Sequence, residues 1–193
     1  MNSSGYVDRL IFQEPWKEQA FQLLLAFTRH REEDLKRKAF VSIGLFCVHY
    51  SDYLLRTELK ELYQNILTDP ESEINVRTQV LRNLESFLNE EERKMLNREA
   101  NRKVENLKEM GETTSGLSSS VIQCYLPGVL NCYFNRDQTV RTVASEVVLL
   151  TLQQGLVHPG QINYFRQIMI ALCKVCMQRD NGAEQTIPLA VAN

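Results

Sequence analysis

Glycine and proline are scarce in this chain of 193 residues, eight of one and five of the other. Together they make about 7% where roughly 12% is ordinary. So few breakers favour long helices. Long apolar runs are missing as well. The best, at 40–48, is interrupted by Ser42 and Gly44, far short of the ~18 residues that a membrane helix needs. The chain is therefore expected to be soluble, without membrane contact. Residues 1–13 lack the basic stretch and apolar core of a secretory signal. An excess of charge of one sign is absent too: 24 acids against 22 bases leave −2, so no chain-wide field draws the protein to nucleic acid or an acidic membrane. Any such contact must come from a local patch. Five cysteines at irregular spacing suit free thiols in a reducing compartment. No glycine-rich phosphate loop, nucleophile elbow or His-Glu-x-x-His pattern occurs. Neither an enzyme, nor a cofactor, nor a small-molecule substrate is expected.

What the chain does have is helical periodicity. Trp16, Ala20, Leu23, Leu24 and Phe27 begin it, Leu35, Ala39, Ile43 and Phe46 follow, and Leu117, Val121, Tyr125, Val129 and Tyr133 step by four. No useful segment alternates with period two, so the fold is expected to be all-α with about eight helices. Asp69-Pro70, Ser118 to Ser120 and His158-Pro159-Gly160 mark joints. Residues 1–13 form an N-terminal segment and 14–89 a first run of paired helices. The balanced charges of 90–116 predict a solvated helix followed by a Gly/Ser-rich linker at 111–120. Further helices occupy 117–180, and 181–193 is a loose tail.

Repetition organises the chain. Leu35-Lys36 with Ala39 and Ile43, Val76-Arg77 with Val80 and Leu84, and Val140-Arg141 with Ala144 and Val148 recur 41 and then 64 residues apart. The second spacing is one period plus an insertion. Helix pairs recurring at about 40–47 residues are the signature of a HEAT-type solenoid. Asp69 and Asp137 precede two of the second helices. With Arg77 and Arg141 they suit a structural ladder in which one repeat's carboxylate meets the next repeat's cation.

The densest basic cluster is Arg29, Arg31, Lys36, Arg37 and Lys38, softened by Glu32, Glu33 and Asp34. It is the candidate contact for phosphates of duplex DNA, held along the backbone without reading bases. A solvated turn with local ion pairs is the plainer alternative. Cys173 and Cys176 lack a second ligand pair and read as buried thiols, not zinc ligands. His30, His49 and His158 are scattered. Tyr125, Tyr133 and Phe134 read as core instead of a base-stacking platform.

The run LKEMGETTSGLSSSVIQCYL at 107–126, followed by Val140-Arg141 and LQQGLVHP at 152–159, resembles the cohesin loader family, the Nipped-B-like proteins or adherins. The resemblance extends from Lys36 to Gly160. It implies a fragment of the C-terminal HEAT solenoid of a nuclear loader. The expected partners are cohesin subunits and duplex DNA in chromatin, and the role is that of an adaptor in sister chromatid cohesion, DNA repair and regulation of gene expression. A generic HEAT adaptor without DNA contact is the alternative. Pro127-Gly128 interrupts a stripe that the family leaves unbroken, so a kink or a split helix is expected there.

Overall fold

Pro15 opens the first helix, a position where its missing N–H costs nothing, and the computed structural model describes residues 15–101 and 109–157, with side chains for 15–97 and 116–157. The helices are α1 (Pro15–Phe27), α2 (Glu33–His49), α3 (Thr57–Thr68), α4 (Ile74–Asn101), α5 (Glu109–Tyr133) and α6 (Gln138–Gln153), with a 3-10 turn at Ser51–Leu55 between α2 and α3. The described residues thus hold six α-helices where periodicity suggests about eight in the whole chain. Part of the difference is physical: the charged segment expected as a helix of its own continues α4, which runs unbroken for 28 residues. The chain forms two compact units, Met1–Leu156 and Val157–Asn193. The helix expected around Ile162, the Cys173–Cys176 pair, the His158 joint, the N-terminal segment and the tail lie outside the described residues.

Within the first unit the helices pair as α1/α2, α3/α4 and α5/α6. The second members, α2, α4 and α6, pack side by side in one layer, and α3 packs on α5 in the other. Arg56, which precedes α3, reaches α1 through Glu18 at 2.7 Å. This is a helical-repeat architecture of three stacked pairs. Phe21, Phe40, Ile43, Leu59, Leu81, Leu84 and Val147 close the space between the layers, each essentially without solvent contact. Such a side chain contributes about 1.5–3 kcal/mol of apolar burial.

Several polar side chains inside this core are matched, with the Thr78 hydroxyl as an exception. Asn83 Nδ2 donates to the Phe40 carbonyl at 2.8 Å and meets the Tyr63 hydroxyl at 2.7 Å, while its Oδ1 accepts from Gln79 at 2.9 Å. Tyr125 Oη donates to the Leu54 carbonyl at 2.6 Å. Burial pushes both tyrosine pKa values well up, so the hydroxyls stay protonated. Glu91, buried on α4, takes Lys94 at 2.8 Å and Ser118 of α5 at 3.3 Å.

At α5 the linker expectation and the split-helix reading at Pro127 change. The 111–120 stretch is helix instead of linker. Its serine hydroxyls find acceptors close by: Ser120 donates to the Gly116 carbonyl at 2.8 Å and Ser119 to that of Leu156 at 3.0 Å. Pro127 neither splits nor ends α5. It faces solvent, where water can serve the carbonyl one turn back that proline leaves unbonded. Gly128, next to it, is buried, and a Cβ there would lie 2.9 Å from Leu67 Cβ, so the bare backbone of Gly128 is what lets α5 approach α3. At α6, Asp137 Oδ1 accepts from the Val140 N–H at 3.1 Å. Asp137→Ala is expected to cost about 1 kcal/mol in a urea melt, and Asp137→Asn to retain most of it.

Candidate functional site

The turn between α1 and α2 carries the first basic residues. Thr28 Oγ1 donates to the Leu25 carbonyl at 2.7 Å, and His30 Nδ1 accepts the Glu32 N–H at 3.1 Å. These bonds leave Arg29 and Arg31 exposed, and Lys38 is exposed in the second turn of α2. None of the three has a carboxylate partner among the described residues. Lys36 and Arg37 differ. Lys36 Nζ bridges Glu73, just before α4, and Glu33 of its own helix at 3.5 Å. The hydrogen bond that Lys36 donates to Glu73 holds the Lys36 pKa up, and the same bond holds the Glu73 carboxyl down. Arg37 is paired with Asp34 at 2.5 Å. The five-residue cluster therefore divides into three open cations and two already engaged.

The anticipated ladder residues occupy equivalent places but take other partners. Arg77 is buried, and its guanidinium donates to the Ile66 carbonyl at 3.2 Å and to the Asp69 carbonyl. Arg141 does the same one repeat later, donating to the carbonyls of Asn135 at 3.0 Å and Arg136 at 2.6 Å. Asp69 spends its carboxylate on the Glu71 N–H at 3.0 Å and on Ser72, and Asp137 spends its own on the N-terminus of α6. Both arginines thus satisfy main-chain carbonyls at or just past the end of the preceding helix, within their own repeat. Inter-repeat ion pairs do occur, but at other residues: Lys36 to Glu73, like Arg56 to Glu18, joins the first pair to the second. Sequence reading named Lys36 but passed over Glu73, for which only its place before α4 gave a signal.

The comparisons with known proteins bear on this architecture. A family model described as "Sister chromatid cohesion C-terminus" matches residues 118–174. The Nipped-B-like protein of Homo sapiens is 41% identical over 151 residues, 75% of this chain and 5% of that protein. The Nipped-B protein of Drosophila melanogaster is 40% identical over 146 residues, 74% of this chain and 7% of its own length. For Nipped-B-like protein scc-2 of Caenorhabditis elegans the figures are 42% over 153 residues, 76% and 7%. The chain belongs to the Nipped-B-like family. It spans only about a twentieth of the human and mouse relatives' length. The family match also runs past Gly160 to residue 174, further than the sequence motifs suggested. No solved structure matches.

In this Nipped-B-like segment the described thiols are quiet. Burial pushes the Cys47 pKa up to about 12 and that of Cys132 up to about 11. Among the described residues no three His, Cys, Asp or Glu side chains are grouped as a metal would need. The Cys173 and Cys176 pair falls outside them. Tyr125 is core, as the periodicity implied, whereas Phe134 is 55% exposed at the end of α5.

Proposed function

We propose that this chain is a scaffold segment of a cohesin loader, supporting the loading of cohesin onto chromatin in the nucleus, and that it acts by contact and not by catalysis. The observation that carries the reading is the agreement of a three-pair helical repeat with about 40% identity to Nipped-B-like proteins across three quarters of the chain. A stack of helix pairs offers long continuous faces to partners. On this reading cohesin subunits dock on the repeats, and the open cations Arg29, Arg31 and Lys38 meet duplex phosphates, with Lys36 and Arg37 held back by their carboxylates. The alternative is a protein-binding adaptor without DNA contact.

Fluorescence anisotropy of a short duplex titrated with the chain separates the two. Three phosphate contacts give a log–log salt slope of about −2.7, hence a loss of roughly 40-fold in affinity between 50 and 200 mM salt. Charge reversal at Arg29, Arg31 and Lys38 is expected to abolish binding, and Lys36→Gln with Arg37→Gln to change it far less. No binding at low salt, from a chain whose circular dichroism is helical, leaves the adaptor reading.

A further inference from the structure

Two grooves run between neighbouring helices of the α2, α4 and α6 layer. The first, of about 350 Å³, lies between α2 and α4, with Glu33 and Glu73 on its walls. The chain fills this need itself, because the Lys36 ammonium bridges both carboxylates. The second groove, of about 430 Å³, lies between α4 and α6 and has Glu85 on one wall and Glu146 on the other. No cation reaches salt-bridge distance of either carboxylate among the described residues. Arg82 lines the groove but stands beyond that distance. Burial, then the charge of Glu146, pushes the Glu85 pKa up, against a weaker pull from Arg82. The two carboxylates therefore repel each other across an open space. Thr139, Thr142 and Gln138 supply hydroxyl and amide groups along the α6 wall. On the same stripe of α4, two turns before Glu85, the buried Thr78 hydroxyl has no hydrogen-bond partner.

We propose that the second groove receives a lysine or arginine side chain from a protein partner, its cation seated between Glu85 and Glu146 as Lys36 is seated between Glu33 and Glu73. The contrast between the two grooves carries the inference: the same layer, the same pairing of carboxylates from adjacent repeats, and, among the described residues, a cation at salt-bridge distance of the carboxylates in one alone. Two carboxylates are too few for a dedicated divalent-metal cage. An ammonium or guanidinium is satisfied by two carboxylates and a few hydroxyls. This surface is independent of the DNA reading, since it selects a basic partner where the cluster at Arg29 selects an anionic one.

The test uses the 193-residue chain and a fluorescein-labelled octapeptide of alternating lysine and serine, with the glutamate–serine octapeptide as its control. Binding of the lysine peptide alone is expected. Glu85→Gln with Glu146→Gln should weaken it at least tenfold, whereas Glu58→Gln with Glu61→Gln, on the exposed side of α3, should leave it within twofold. Thr142→Lys, which builds the missing cation one turn from Glu146, should raise the melting temperature and weaken the peptide at least tenfold. Four outcomes overturn the proposal: no binding, equal loss in both glutamine pairs, unchanged binding in Thr142→Lys, or spermidine competing as strongly as unlabelled peptide. Melts of each variant separate loss of the groove from loss of the fold.

Discussion

Alanine at Gly44 is expected to destabilise the protein by about 2–3 kcal/mol, against the ~1 kcal/mol that alanine ordinarily gains over glycine inside a helix. The new methyl would meet Asn83 Oδ1 at 2.1 Å and Cγ at 2.3 Å. A free carboxamide would swing aside. This one is buried and bonded to Phe40, Tyr63 and Gln79, so moving it strands polar groups in a dry interior. Urea melts of Gly44→Ala, Asn83→Ala and the double variant check the argument. The double variant should be clearly less destabilised than the sum of the singles, because truncating Asn83 removes the obstruction. A neutral Gly44→Ala would show that α2 and α4 have room to part.

Arg77→Met is the second large effect, with an expected loss of about 2–4 kcal/mol. Only 3% of Arg77 is exposed, and its guanidinium serves two carbonyls at the end of α3. Methionine fills part of the space but takes the guanidinium from both carbonyls, of which that of Asp69 keeps the Ser72 N–H at 3.1 Å. Arg77→Lys is expected to lose about 1–2 kcal/mol, since one ammonium on a flexible stem does not reproduce the fork. Asp69→Asn is the informative control. Arg77 meets the main-chain oxygen of Asp69 and not its carboxylate, so the change should stay within about 0.5 kcal/mol. A loss equal to that of Arg77→Met would restore the carboxylate ladder.

The repeat register was legible because it rests on local spacing. Leu35, Val76 and Val140 do open equivalent second helices, and Ala39, Ile43, Val80, Leu84, Ala144 and Val148 are buried on them. The basic cluster was legible as composition but not as geometry. Whether Lys36 is open depends on Glu73, brought to it by packing of α2 on α4, and no window of sequence contains that pairing. The 111–120 stretch misled for a related reason. Serine and glycine weaken an isolated helix, but the stripe from Leu117 onward buries Val121, Ile122 and Tyr125, and tertiary burial outweighs propensity. Glu85 and Glu146, 61 positions apart in sequence, become a pair only once α4 and α6 lie together.

The length and placement of α4 have a further consequence. At 28 residues it is about 42 Å long, and α2 and α6 pack on its opposite flanks. Through Lys94 and Glu91 it also holds the Val48 carbonyl at the end of α2 and the Ser118 hydroxyl of α5. Nearest-neighbour stacks ordinarily fray one repeat at a time from an end. Here the middle element is a spine common to its neighbours, so loosening either outer pair strips apolar cover from the same rod. The first and third pairs, which share few direct contacts, are thereby coupled, and the stack behaves as a stiff spacer more than as a chain of hinges.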